Sequence, residues 1–386
     1  MAHTQSLPQR GDAASRFTVL MLWVLLAVFV VYPLVRLLAM AFTADGSFTL
    51  ENLRPFVESW YDRQAAVNSI LLGCSVGVAG TVLGFIFAFA VTRLSLPKWL
   101  CAAVSAVTLL PLISPPFTSS IALTLSLGPN GILLDFFGLG NFNFYGFWGT
   151  FISETLTFFP VAFMTLSTIL ARIDPNLEDA AYSLGASSFK VFRTVTLPLA
   201  APGIANAFLL VFSCSLADFA TPQVLGGHSF PVLPTQAYLV ITGMYDFKGG
   251  AALSFMLLIP AIIVYSLQRW WVGKKSYVTV SGKAGGRSSV KGPGPLLSSV
   301  IVATVAVVIA FILYLYAIIL TGSLVKVWGV NNEITLENYS YVFTHGSKAI
   351  KDTLLIACIG TPLGGLLAVL VGYATARLKV RGSRIL

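Results

Sequence analysis

The chain has 386 residues, of which 56% are hydrophobic and only 10% are charged, whereas a soluble domain carries about 25% charged residues. This composition excludes an ordinary soluble domain and indicates an integral membrane protein. The net charge of +9 comes from basic residues spread between apolar segments, so we interpret it as a topology signal and not as a nucleic-acid-binding face. We therefore expect the lipid bilayer, and no nucleic acid, among the partners of the chain.

Apolar stretches of about 20 residues can cross the roughly 30 Å hydrocarbon core of a bilayer, and the sequence contains eight. In chain order the predicted spans are 17–42, 66–92, 100–127, 147–170, 201–225, 251–272, 296–322 and 353–376. The first is too long for a signal-peptide core and lacks a small-residue cleavage site, so we expect it to be retained. Prolines predict breaks in the third span (Pro111, Pro115, Pro116) and in the fifth (Pro222). The prediction is an all-α membrane protein with about eight transmembrane helices.

Basic residues predict the orientation. Of the 24 Lys and Arg residues, 17 fall on the side that holds the N-terminal tail and 6 fall on the other side. Because cytoplasmic segments are enriched in Lys and Arg, we predict that both termini are cytoplasmic. The polar segment 171–200, between the fourth and fifth spans, is then cytoplasmic too.

The chain repeats part of itself. FTLENLRPFV at 48–57 returns as ITLENYSYVF at 334–343, and AFAVTRL at 88–94 returns as GYATARL at 372–378. Such self-similarity indicates repeated structural units. We predict a cytoplasmic tail at 1–16, a first unit of six spans at 17–272, a Gly, Ser and Lys-rich cytoplasmic linker at 273–295, and the first two spans of a second unit at 296–386.

The second unit stops before its own version of segment 171–200. Either the sequence is a piece of a longer chain, or a separate chain supplies the rest of the second unit.

Segment 171–200 begins with the pattern of a short helix. Asp174 can cap the first backbone N–H groups, and Pro175 suits the first helical position. Gly185 can adopt the left-handed conformation that ends a helix.

A second short helix is predicted over 188–196, capped by Ser187. We expect Leu197-Pro198 to end it, since the residue before a proline avoids the helical region. The apolar side chains expected to face the protein are Phe189, Phe192 and Val195. Two helices at an angle, held outside the bilayer, would form a docking surface.

Residues 179–198 resemble the cytoplasmic signature of binding-protein-dependent ABC importer permeases. The family pattern is EAA, three residues, G, nine residues, I, one residue, and L-P. The chain keeps every spacing, with Asp179 in place of Glu and Val195 in place of Ile. In that family this segment is the coupling helix, which sits in a groove of the nucleotide-binding subunit. The resemblance assigns this role to Glu178, Asp179, Ala180, Ala181, Gly185, Ala186, Ser187, Leu197 and Pro198.

The resemblance also implies the partners and the location. It implies a bacterial inner-membrane protein with two cytosolic ATPase subunits, which use ATP and Mg, and a periplasmic solute-binding protein. The binding protein is expected to dock on the outer loops near 43–65, 128–146 and 226–250. The chain itself has no GxxxxGK[ST] phosphate loop, because Gly273-Lys274-Lys275-Ser276 lacks the first glycine and the spacing. We therefore predict no enzyme activity and no bound cofactor for this chain.

No metal site is assigned from the sequence. The cysteines Cys74, Cys101, Cys214 and Cys358 lie singly in apolar runs, without the spacing of a metal site. We predict that they are small buried residues. No catalytic set of Ser, His and Asp is found either, since the three histidines are isolated.

A longer stretch bears on the substrate. Residues 215–246, which begin SLADFATPQVLGG, resemble the double-length permeases of ferric-iron importers, in which two permease units share one polypeptide. Ferric iron is the expected substrate, with importers of thiamine, polyamine, sulfate or phosphonate as the alternatives. An ion-coupled secondary transporter is the rival class, because internal repeats and broken helices occur there too.

Two carboxylates fall inside predicted spans, where charge is costly and indicates function. Asp218 lies four residues before Pro222, and Glu154 lies about two turns inside the fourth span. Both are candidates for the translocation path. A structural alternative stays open for each, since Asp218 can cap a broken helix end and Glu154 can reach water from the end of its helix.

Overall fold

The computed structural model describes residues 13–44, 46–115, 117–129, 131–138, 143–273 and 294–377. Most of the predicted tail and linker, the end of the second unit, Pro116 and part of the loop 128–146 lie outside these residues. In the described part, seven helices are long and apolar enough to cross a membrane, or eight if one bent pair counts as a single span. The prediction of an all-α protein with about eight spans is confirmed.

The elements run in the following order. The helices are α1 Ala13–Leu26, α2 Tyr32–Phe42, α3 Arg54–Glu58, α4 Trp60–Arg93, α5 Lys98–Ile113, α6 Thr118–Leu127, α7 Ile132–Phe137, α8 Phe147–Arg172, α9 Pro175–Ser183, α10 Ser188–Val191, α11 Leu197–Ala217, α12 Ala220–Leu225, α13 Leu233–Gly243, α14 Phe247–Gly273, α15 Pro295–Ser323, α16 Glu337–His345 and α17 Ser347–Arg377. The π-helical turns are Ala27–Val31 and Phe192–Thr196, and Glu51–Leu53 is a 3-10 turn. Two antiparallel hairpins pair β1 Thr43–Ala44 with β2 Ser47–Phe48, and β3 Val325–Val327 with β4 Asn331–Ile334.

The two copies of the TLEN motif make matching contacts. In each unit the motif follows the first span and a short hairpin. The side-chain amide of Asn52 donates to three backbone oxygens at the end of α2 and the start of β1, at 3.1 to 3.2 Å. The amide of Asn338 donates to two oxygens at the end of α15 and the start of β3, at 3.2 and 2.9 Å. The motif therefore bonds carbonyls that lack helical partners at the end of a span. The bounds of the two units, 17–272 and 296–386, stay predictions.

Glycines on α4 set how closely its neighbours approach. Three of them face α11, namely Gly73, Gly77 and Gly80. At Gly84, an added Cβ would lie 2.6 Å from Cβ of Ala162 and 2.7 Å from the backbone nitrogen of Phe163, both on α8. Small residues at helix crossings let backbones come into contact inside a membrane. Helices α4, α8 and α11 therefore form one closely packed core.

Replacing Gly84 with Ala should destabilise this core. Because the added methyl group would meet Cβ of Ala162 and backbone atoms of α8, none of which can rotate away, the helices must separate, and overpacking of this kind costs about 1–3 kcal/mol. Thermal unfolding of the purified protein in detergent measures the effect. The control is Gly243→Ala, since no atom lies within 4 Å of a Cβ at Gly243. Equal unfolding temperatures for both variants would contradict the close contact.

The first span of each unit packs against the other unit. Helix α15 lies along α6, where the Ser126 and Tyr314 hydroxyls are 2.9 Å apart. In return, Val19 and Leu22 of α1 pack with Ala374 of α17. Most of the remaining surface of α17 is exposed in the part of the chain described here. Contacts of α15 and α1 thus join the two predicted units, while α2 packs on α14 of its own predicted unit through Phe42 and Phe255.

The third and fifth predicted spans are broken, but not at every predicted proline. Pro111 lies within α5, and the pair Lys98–Ile113 and Thr118–Leu134 is bent by 95° next to Pro115. The fifth span breaks at Asp218 and Phe219, and Pro222 is the third residue of α12. Proline is tolerated there because the first N–H groups of a helix have no partner within the helix.

The prediction that the cysteines are buried is wrong. Cys74 and Cys358 are exposed, and Cys101 and Cys214 are partly exposed. Lipid is as apolar as a protein core, so an apolar neighbourhood in the sequence does not show which face of a membrane helix is covered by protein.

Candidate functional site

The loop between α8 and α11 begins with the capped helix that the sequence predicts. The Asp174 carboxylate accepts the backbone N–H of Asn176 at 3.0 Å, and Pro175 is the first residue of α9. Gly185 has φ of +80°, the left-handed conformation that glycine adopts without strain. The Ser187 hydroxyl accepts the backbone N–H of Lys190 at 3.4 Å and caps α10. Residues 171–200, which we call the coupling loop, therefore turn sharply at Gly185.

The second short helix does not end at Leu197-Pro198, and this part of the prediction is wrong. Helix α10 passes through the π turn Phe192–Thr196 into α11, so that Ser188–Ala217 is one helix of 30 residues. The Leu197 N–H bonds to the oxygen of Phe192, five residues back. A wider turn makes room for the ring of Pro198, which would otherwise press on the preceding turn. The coupling loop is thus continuous with a membrane-spanning helix.

An apolar surface lies on the outside of the coupling loop. Leu184 is 89% exposed and Phe189 is 65% exposed, so the expectation that Phe189 faces the protein is wrong. Phe192 does face inward, where its ring meets the rings of Phe85 and Phe89 edge-on. Among the predicted coupling residues, those exposed are Ala180, Gly185, Ser187, Leu197 and Pro198, and those partly exposed are Asp179, Ala181 and Ala186.

Glu178 is the exception in that set, because it points into the protein. Its Oε1 lies 3.3 Å from Nε of Arg93, the last residue of α4, and accepts the Thr196 hydroxyl at 2.7 Å. The side chains of Arg93 and Glu178 are only 6% and 4% exposed. The sequence predicted Glu178 on the docking surface and used Arg93 only as a topology marker. The sequence held one signal that could have drawn attention to Arg93, since the Arg-Leu pair at 93–94 returns at 377–378 at the end of the repeated span.

Glu154 lies at the other end of the helix core. It is fully buried, and the Ser215 hydroxyl of α11 donates to its Oε2. The alternative that Glu154 reaches water is therefore wrong. The reason is its position on α8, which turns the side chain toward α11 and not toward the end of the helix. Its Oε1 has no hydrogen-bond partner among the residues that the structure describes.

Further hydroxyl side chains pair between α6 and α8. The hydroxyls of Ser120 and Ser153 are 3.3 Å apart, and Thr157 donates to Ser119 at 3.1 Å. Together with Glu154 and Ser215 we call these residues the buried polar cluster, which joins α6, α8 and α11. It offers several oxygen atoms, the ligand type that hard cations prefer.

Asp218 lies at the break after α11. Its Oδ1 accepts the backbone N–H of Ala220 at 2.9 Å and so caps α12. This is the structural alternative that the sequence left open. Asp218 follows Ser215, the residue that bonds Glu154, by three positions, so the two candidate pathway residues belong to one region. Within the described residues, no three His, Cys, Asp or Glu side chains are grouped as a metal site.

Removing the Ser215 hydroxyl should destabilise the protein. In Ser215→Ala the buried Glu154 carboxylate loses the hydroxyl that donates to its Oε2, and an unsatisfied buried polar group costs about 1–3 kcal/mol. Thermal unfolding in detergent is the measurement. The control is Ser75→Ala, because the partly exposed Ser75 hydroxyl bonds the Leu71 carbonyl of its own helix. A Ser215 variant as stable as the Ser75 variant would show that the buried bond is dispensable.

Comparison with known families identifies the class of protein. The family model described as binding-protein-dependent transport system inner membrane component matches residues 80–276. The chain belongs to this family. The match covers α8, the coupling loop and α11, and it accords with a multi-pass membrane protein.

Individual relatives narrow the comparison. The chain is 34% identical, over 98% of its length, to the ferric transport system permease protein of Actinobacillus pleuropneumoniae. It is similar at the same identity and coverage to a Haemophilus influenzae protein whose name refers to the same transport system. The chain spans 56% and 61% of the length of these two relatives. A spermidine/putrescine transport system permease protein of Haemophilus influenzae is 27% identical over 62% of the chain.

A solved structure shares the fold. A chain of a bacterial ABC transporter that imports the acidic polysaccharide alginate matches with a TM-score of 0.59 at 16% identity. The match covers 68% of this chain and 95% of that chain. At this identity the likeness concerns the fold of the helices alone.

Proposed function

We propose that this chain is a membrane-spanning subunit of an ATP-driven importer that moves ferric iron. The observation that carries the proposal is the exposed coupling loop, which keeps the spacing of the family signature and presents Leu184 and Phe189 to its surroundings. Exposed apolar side chains grouped in this way are typical of a protein interface. The identity to a ferric transport permease over 98% of the chain supports the substrate.

In the proposed orientation both termini and the coupling loop are cytoplasmic. The excess of Lys and Arg on that side supports this orientation, with 17 of 24 residues. Two ATPase subunits then bind at the cytoplasmic face, one of them on this coupling loop. ATP and Mg belong to those subunits. A further permease half, in the same or another polypeptide, supplies the second coupling loop.

Transport then proceeds by alternating access. A periplasmic binding protein delivers the ferric ion to the outer loops, and closure of the ATPase subunits displaces the coupling loop. Because Ser188–Ala217 is one helix, the displacement reaches the contact between Ser215 and Glu154. Separation of α8 from α11 would open the buried polar cluster, and Glu154 and Asp218 would face the path. Carboxylate and hydroxyl oxygens suit a ferric ion in transit.

Leu184→Asp should weaken ATPase binding without harming the fold. Leu184 is 89% exposed, and surface substitutions of this kind change stability by only about 0.5 kcal/mol. At an interface centre the same change should cost about 2 kcal/mol or more, which lowers affinity at least about 30-fold. Affinity of the purified transporter for its ATPase subunit is the measurement. Val330→Asp is the control, since Val330 is 75% exposed in the β3–β4 turn of the opposite side. Equal affinity for the two variants would remove the docking role.

Vesicles test the transport itself. Vesicles loaded with ATP, with the ferric-loaded binding protein outside, should take up iron. This uptake should stop when ATP is left out. Uptake that continues without ATP would favour an ion-coupled carrier and contradict the proposal. A second binding protein, loaded with polyamine, tests the substrate separately. ATP-dependent uptake of polyamine would leave the assignment as an ATP-driven importer in place and would contradict ferric iron as the substrate.

A further inference from the structure

Within the coupling loop, helix α9 is attached to the membrane helices through a buried charged side chain. Within α9, all of which the structure describes, Glu178 is the one buried residue. The contact of Glu178 with Arg93 and Thr196 is therefore the main internal attachment of the helix that carries the family signature. A buried ion pair fixes direction and register, which a contact between aliphatic side chains does not.

Stability alone gives little reason for such a pair. Taking two charges out of water costs free energy, and apolar side chains of similar volume often stabilise a protein as well or better. The same basic residue nevertheless recurs in the second unit, where α17 ends at Arg377 in the sequence ARL, as α4 ends at Arg93 in TRL. The position of the charge at the end of the span is thus a property of the repeated unit.

The pair also has unused bonding capacity. Nε and Nη2 of Arg93 are buried and make no hydrogen bond among the described residues, although Nε lies 3.3 Å from Glu178. Arginine can bond a carboxylate through two parallel N–H groups. A small shift of α9 toward α4 would align these groups, so the pair can follow a moving loop without breaking.

Three elements meet at this pair. Arg93 is the end of α4, Glu178 belongs to α9, and Thr196 lies in the π turn that leads into α11. Helix α4 packs along both α8 and α11 through its glycines. Any displacement of α9 therefore acts on α4 and α11 at the same point.

We propose that Arg93 and Glu178 are positioning residues of the transport cycle, and that their ion pair with Thr196 carries the displacement of the coupling loop to α4 and α11 together. This inference rests on the proposed function as an ATP-driven importer. It predicts that loss of the pair uncouples ATP hydrolysis from transport, while a merely structural pair would lower both in proportion.

The test measures iron taken up per ATP hydrolysed, with the complete transporter in proteoliposomes. Glu178→Gln keeps the size of the side chain and removes its charge, and Arg93→Met with Glu178→Leu replaces the pair by apolar side chains. Both should lower the ratio at least about fivefold, the lower end of the range for coupling between sites. The exchanged pair Arg93→Glu with Glu178→Arg should recover part of the loss. ATPase subunits should remain bound in every variant that shows the effect.

A matched control uses the exposed ion pair in which Nε of Arg54 lies 2.7 Å from Oε1 of Glu58, on the side predicted to be periplasmic. The double variant Arg54→Ala with Glu58→Ala should leave the ratio of iron taken up to ATP hydrolysed unchanged. An unchanged ratio in both the Gln variant and the apolar double variant would overturn the inference. So would a parallel loss of uptake and hydrolysis. If the unaltered transporter shows no ATP-dependent uptake, the proposed function fails, and that result is obtained before any variant is compared.

Discussion

The close approach of α4 to α8 and α11 is the contact on which the rest of the structure depends. At Gly84 the backbones of α4 and α8 leave no room for a methyl group. In lipid, helices associate through such contacts, because no hydrophobic effect drives apolar side chains away from an apolar solvent. The position of Arg93 at one end of α4, and of the buried polar cluster between α8 and α11, follows from this packing.

Features that depend on nearby residues were predictable from the sequence. Hydropathy predicts the spans because any stretch that crosses the bilayer must be apolar and must satisfy its own backbone. The cap at Asp174 and the left-handed Gly185 follow from residue types that suit those positions. The family signature in the coupling loop was found for the same reason, since its spacing is local.

Features that depend on contacts between distant segments were not predictable. Glu178 is acidic and near a helix start, which suggested exposure, and only its contact with Arg93 shows why it is buried. Glu154 was misplaced in the same way, because its partner Ser215 lies 61 residues away. The rule that proline ends a helix also failed at Pro198, where a π turn absorbs the ring. The two carboxylates require knowledge of the packing partner, which one sequence does not contain.

The unbroken helix from Ser188 to Ala217 runs along α4 and does not cross it at a single point. Near the coupling loop the ring of Phe192 meets Phe85 and Phe89, and farther along Phe208 and Phe212 lie against Gly77 and Gly73. A rigid tilt of this helix would be resisted at each of these contacts. A rigid shift along its axis would move both ends by the same distance, so a movement at the coupling loop would reach Ser215 undiminished across about 40 Å of helix.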